Sequence, residues 1–237
     1  MAKIGVFDSG IGGLSVLKEL DKNLSGVEFV YYGDNEHSPY GDCSILRLFQ
    51  FVKHILDVFV VENVDCIVIA CNTVSCTLFR FCKAYVNVPI YGVFPPIESA
   101  IMSGKKSVLL CTSNTAKACL GYERYLKIVP LKGFVEHIER YPYSFNERVD
   151  SKYFLCDLGK FDCVIYGCTH YFFRKIGINN HFHTTCNHSG VEYTVKQVVS
   201  GVKIKNHKNK PINNRFKFLG KNSIENEHVY NSMKKYL

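Results

Sequence analysis

The sequence predicts an α/β fold of two pseudo-symmetric domains, each a mainly parallel sheet flanked by helices, with the active site in the cleft between them. Three observations carry this expectation. Short apolar runs alternate with stretches of helical periodicity. The windows "VDCIVIACNT" (64–73) and "FDCVIYGCTH" (161–170) repeat Asp, Cys and Cys at matching places. "KSVLLCTSNT" is a weaker echo of "KIGVFDSG". Parallel strands need crossover connections, and helices usually supply them, so the alternation implies a sheet covered on both faces.

"KIGVFD" is a short apolar strand, and "SGIGGLSVLKELDK" is a glycine turn running into an amphipathic helix. "EFVYYGD" gives a second strand, and residues 44 to 62 read as a long amphipathic helix after a loop holding "SPYG". The β-branched run "CIVIA" is a strand buried on both faces, followed by a helix through "TVSCTLFRFCKAY". "VPIYGV" adds one more strand before Pro95 and Pro96 interrupt regular structure and a further helix opens near Ile97. The alternation then restarts at "KSVLLCTSNT" and reaches "FDCVIYGCTH". The expected division is 1–95 together with 202–237 as one domain, and 96–201 as the other.

With 237 residues, 47% hydrophobic and 21% charged, the chain is long enough for a substantial core, which argues against disorder. No uncharged apolar run approaches the ~18 residues of a membrane span, and "MAKIGVFDSG" lacks the pattern of a signal peptide, so a cytoplasmic protein is expected. The cysteines number 11 with no Cys-x-x-Cys pair, which points to reduced thiols rather than a disulfide framework. The formal charge of +8 is uneven: "KIKNHKNKPINNRFKFLGK", residues 203–221, has seven Lys or Arg and no acid. That stretch reads first as a solvated surface loop and second as a site for an anionic partner.

Ligands of open parallel sheets bind outside the carboxyl ends of the strands, so two facing copies would present Cys71 and Cys168 to a shared cleft. Two thiols flanking one small molecule suit stereoinversion: one group removes a proton from one face of a carbon acid while the other delivers a proton to the opposite face. A thiol with an ordinary pKa of ~8.5 can serve as either group after modest tuning. Asp8 is the candidate assistant of Cys71, and His170 that of Cys168. The thiols of Cys43, Cys66, Cys76, Cys82, Cys111, Cys119, Cys156 and Cys163 read as packing or inert surface groups. Asn72, Thr73 and Thr169 offer donors and acceptors to a zwitterion, and the turn "SGIGG" offers backbone N–H groups on which a substrate carboxylate could rest. Its Gly10, Gly12 and Gly13 lack the dinucleotide spacing, so no nucleotide cofactor is expected.

The motifs "FDSGIGGLSVL", "YGD", "PYG", "ACNT" and "GCTH", in this order, resemble the cofactor-independent glutamate racemases of the aspartate/glutamate racemase superfamily. The resemblance implies Cys71 and Cys168 as the two acid/base thiols, assisted by Asp8 and His170. It implies substrate contacts from Asp8, Ser9, Tyr40, Gly41, Asn72, Thr73, Thr169 and His170. It also implies glutamate as substrate, no cofactor, no metal, a homodimer, and a bacterial role in supplying D-glutamate for peptidoglycan. The family's Pro-Leu-Val-Glu segment is echoed by "VPLKGFVEHIE", with Glu136 as its acid. "YGVFPPIESA" and His188 before Ser189 depart from the family pattern, which touches substrate tuning more than reaction type. Alternatives are an aspartate-preferring or broader amino-acid racemase, and a regulatory protein of racemase fold whose basic stretch meets nucleic acid or a DNA-handling partner. A third is a zinc-dependent hydrolase using His181, His183, Cys186 and His188, whose spacing is not that of paired structural zinc ligands.

Overall fold

The computed structural model describes residues 1–144, 149, 153, 160–202 and 213–236. Its strands form two wholly parallel sheets. In chain order the first run of elements is β1 (Ala2–Asp8), α1 (Leu14–Asn23), β2 (Val27–Gly33), α2 (Ile45–Val61), β3 (Cys66–Ile69), α3 (Asn72–Tyr85) and β4 (Ile90–Gly92). The second comprises α4 (Ile97–Met102), β5 (Ser107–Cys111), α5 (Ser113–Ala118), β6 (Lys127–Pro130), α6 (Phe134–Arg140), β7 (Cys163–Gly167), α7 (Lys175–Phe182), β8 (Asn187–His188) and α8 (Val191–Gly201). The chain then returns to the first sheet with β9 (Arg215–Leu219) and α9 (Ser223–Tyr236). Strand orders are β4-β3-β1-β2-β9 and β6-β5-β7-β8.

Side chains alternate across each strand, and although the inner strands are buried on both faces, successive residues join different cores. Ile4 and Val6 of β1 join Val108 and Leu110 of β5 and Val164 and Tyr166 of β7 in one core shared by the two sheets. Phe7 of β1 and Ile67 and Ile69 of β3 point the other way, beneath Val52, Leu56 and Phe59 of α2. Leu109 and Ile165 do the same beneath Ile97 and Ala100 of α4. Phe59 has no exposed surface, and burying a ring of that size stabilises by about 1.5–3 kcal/mol. Both central strands are therefore apolar on both faces, which is why "CIVIA" and "CVIYG" read as continuous runs rather than alternations.

The sheets are aligned so that the ends of β1, β3 and β7 carry the cleft residues. The register is direct on one side, where Phe7 pairs with Ile69, so Asp8 and Cys71 leave neighbouring strand ends. On the other side, Cys111 pairs with Gly167, one residue before Cys168. Helix α8 packs back toward the first sheet, where Thr194 Oγ1 donates to Gly92 O at 3.0 Å.

Candidate active site

Cys71 lies two residues past the end of β3 and is the capping residue of α3, so its thiol stands at a strand tip and a helix N-terminus together. It is 5% exposed. Burial pushes the thiol well above its ordinary range, and the charge of Asp8 adds to the shift, while the Val74 N–H and the Ser9 hydroxyl pull weakly the other way. Cys168 has the same place at the end of β7, before a 3-10 turn over Thr169–Arg174. Its Sγ lies 3.8 Å from His170 Nδ1. The two thiols line one small cleft with Ser9, Tyr40, Gly41, Asn72, Thr73, Thr112, Val135, Thr169 and His170.

Each thiol has a different titratable neighbour. Asp8 is fully buried, and its Oδ2 accepts from Thr169 Oγ1 at 2.9 Å while its Oδ1 accepts from Gly10 N at 3.1 Å. Burial lifts its carboxyl from 3.8 to about 6, against the opposing pull of His170 and of these hydrogen bonds. His170 shows the reverse balance. Burial alone would lower it, but Cys168 and the Glu139 carboxylate hold the imidazole well above its ordinary value. Glu139 Oε1 lies 2.6 Å from His170 Nε2 and accepts from Ile11 N at 2.9 Å. Its Oε2 accepts from Asn35 Nδ2 at 2.9 Å.

These contacts correct two sequence expectations. The acid that meets the site is Glu139, whereas Glu136 is exposed on α6. Val135 lines the cleft, and a residue four further on shares its helix face, so the helical period from Val135 was the clue to Glu139. The second correction concerns the glycine turn. Its N–H groups at Gly10 and Ile11 already serve the protein's own carboxylates, Asp8 and Glu139, rather than standing open for a substrate carboxylate. Close approach explains the glycines there. A Cβ on Gly12 would come within 2.4 Å of His170 Nδ1 and Thr169 Oγ1, and one on Gly10 within 1.8 Å of Glu139 Oε1.

Sequence reasoning passed over Thr112 and Asn114. Thr112 falls where the echo of "KIGVFDS" in "KSVLLCT" places Ser9, and its Oγ1 lies 2.9 Å from that of Thr73 across the cleft. Asn114 Nδ2 donates to Tyr40 O at 3.1 Å and Cys43 O at 2.8 Å, so an α5 residue holds the loop that brings Tyr40 and Gly41 to the site. Tyr40 is anchored from its other end by a hydrogen bond to Asp34.

No protein-family model matches the chain. A glutamate racemase of Leptospira interrogans is 33% identical over 214 residues, covering 85% of this chain and 83% of that one. The chain belongs to the glutamate racemase family. The glutamate racemase structure from Campylobacter jejuni superposes with a TM-score of 0.80 over 99% of both chains at 24% identity. That of Thermus thermophilus, solved in complex with beta-chloro-D-alanine, has a TM-score of 0.75 at 26% identity and covers 98% of this chain and 93% of its own. Family and fold agree with the expected two parallel sheets, and the regulatory alternative is not favoured.

The rival sites are less coherent. The four residues of "HFHTTCNH" do not gather as one ligand set among the described residues: Cys186 and His188 meet Cys163 instead, and His181 and His183 are outside that group. Lys203, Lys205, Lys208 and Lys210 of the basic stretch lie outside the described residues, as does Cys156. The described part of that stretch is not the expected surface loop: Arg215–Leu219 form β9 against β2, and Lys217 pairs with Glu62 at 2.7 Å and Lys221 with Glu36 at 2.8 Å. No helix of the described residues is long and apolar enough to cross a membrane.

Proposed function

We propose that the protein interconverts L- and D-glutamate by a two-thiol proton transfer, with Cys71 and Cys168 acting from opposite faces of the substrate Cα. One thiolate takes the Cα proton, the electron pair stays on carbon and its carboxylate, and the opposite thiol delivers its proton to the other face. The roles reverse for the opposite enantiomer. The observation that carries this reading is that both strand-tip thiols line one cleft, with His170, backed by Glu139, 3.8 Å from Cys168 Sγ and with the buried Asp8 carboxylate held between Gly10 and Thr169 near the Cys71 thiol, whose pKa its charge raises.

Asp8, with a carboxyl near 6, can exchange a proton with its surroundings at neutral pH. A protonated His170 stands ready beside Cys168 Sγ to hold or return that thiol's proton. Ser9, Asn72, Thr73 and Thr169 offer hydrogen-bonding groups for the two carboxylates and the ammonium, with Tyr40 and Gly41 closing the same wall. The product D-glutamate would feed peptidoglycan synthesis. The division into 1–95 with 202–237, and 96–201, belongs to the same proposal and is supported by β9 joining the first sheet.

The test is a chiral assay of purified protein with L- and D-glutamate and a panel of other L-amino acids, run in D2O. Glutamate should racemise without added cofactor and gain deuterium at Cα. Turnover of aspartate in preference to glutamate would move the chain to the alternative specificity, and no racemisation of any amino acid would defeat the proposal.

A further inference from the structure

At the opposite end of β7 from Cys168, three soft-metal ligands converge that the racemase reading does not use. The strand pairing sets them there: Ile165 is opposite His188, and Val164 opposite Asn187. With a side-chain period of two, Cys163 and Ile165 share one face of β7, and Cys186 and His188 share the corresponding face at β8. The sulfurs of Cys163 and Cys186 lie 2.8 Å apart, and the ligand atoms of Cys163, Cys186 and His188 are all within 4.8 Å of one another.

We propose that Cys163, Cys186 and His188 bind a zinc-like divalent ion in a site separate from the cleft. The second observation is the imidazole itself. His188 Nε2 is buried and has no hydrogen-bond partner among the described residues, and an orphaned buried nitrogen is costly unless something accepts its lone pair. A disulfide between the two cysteines would leave that nitrogen as it is, whereas an ion uses all three groups. Two thiolates and one neutral imidazole are a donor set that zinc prefers, and the two negative charges balance the ion. Lys105 Nζ, 3.2 Å from Cys186 Sγ, favours the negative sulfur that such binding needs. Two sulfurs on one tetrahedral zinc stand about 3.8 Å apart, given a bond of about 2.3 Å. The pair must therefore open by about 1 Å, and Cys186 is half-buried beside a two-residue edge strand that can give. Binding releases the two thiol protons and ties β8 to β7. Cys163 and Cys168 are five strand steps apart, roughly 17 Å, so the ion does not reach the cleft.

The experiment is a titration of the reduced full-length protein with Co2+, followed by displacement with Zn2+. Wild type should show a thiolate-to-cobalt charge-transfer band that saturates at a single ion per chain and disappears when zinc is added. Cys186→Ser should lose the band, and His188→Gln should weaken cobalt binding by roughly tenfold or more. The double variant Cys71→Ala/Cys168→Ala should keep the band, which separates this site from the cleft thiols. Absence of a band in wild type, or a band unchanged in both Cys186→Ser and His188→Gln, would overturn the proposal. So would loss of the band in the cleft double variant, or a peptide map showing Cys163 joined to Cys186 as a disulfide in protein that takes up no cobalt.

Discussion

Glu139 Oε1 lies 2.6 Å from His170 Nε2, and the other nitrogen of the same ring lies 3.8 Å from Cys168 Sγ. The carboxylate therefore fixes the ring and its charge from the side away from the thiol. Glu139→Gln should lower racemisation by about 10²-fold, the size of one acid/base contribution. Glu136→Gln on the same helix should leave it unchanged. Equal effects of the two substitutions in a chiral assay would remove the special role of Glu139.

Cys71→Ala and Cys168→Ala should each lower turnover by at least about 10²-fold in both directions, because the proposed transfer needs one thiol on each face of Cα. Far-ultraviolet circular dichroism should show both variants folded. Near-normal racemisation by either one would refute the two-thiol assignment.

The buried Asp8 gives a pH dependence with a definite sign. Its carboxyl is raised from 3.8 to about 6, so the protonated form favours the folded state. That contribution is fully present below 3.8 and is lost as pH rises through about 6. At pH 7 the ionised carboxylate is thus a net cost of up to about 3 kcal/mol. Asp8→Asn should be more stable than wild type at pH 7, with the difference shrinking toward pH 4, and should lose activity. Wild-type kcat/KM should fall as pH drops through about 6. Denaturant titrations at the two pH values check the first statement, and a variant less stable than wild type at pH 7 contradicts it.

Gly12→Ala should be destabilised by about 1–3 kcal/mol, the usual cost of overpacking, and should lose most of its turnover. The added methyl meets His170 and Thr169 at 2.4 Å, so the ring must leave Glu139 or the turn must move. A thermal melt and a racemisation assay on this variant test both parts. Unaltered turnover would show that the ring position matters little.

Racemisation should persist in a strong chelator and stop on thiol alkylation. The cysteine–histidine cluster is at the far end of β7, while both proposed working thiols are in the cleft. Loss of turnover on chelation, restored by zinc, would tie the metal ligands to the reaction.

What the sequence disclosed follows from the range of the interactions involved. β1, β3 and β7 were legible because a strand buried on both faces writes itself as a continuous apolar run, and the repeated Asp, Cys and Cys marked two equivalent tips. Glu139 was missed because the start of α6 is set by the left-handed turn at Gly133, which decides which acid faces inward. The fate of the "SGIGG" N–H groups was equally hidden: Gly10 N turns back to Asp8, and Ile11 N answers to Glu139, which is 128 positions away. The meeting of Cys163 with Cys186 and His188 depended on the pairing of β7 with β8, a two-residue strand too short to leave a pattern.

The return of β9 to the edge of β2 places the order of synthesis at odds with the order of assembly. Glu28 through Tyr32 of β2 leave the ribosome early, yet their partners Arg215 through Leu219 emerge only after every strand of the second sheet. Until then the nascent first sheet presents β2 as an open edge, with Phe29 and Tyr31 lacking the rings of Phe216 and Phe218 that later pack on them. The half of the molecule translated first is thereby the half completed last.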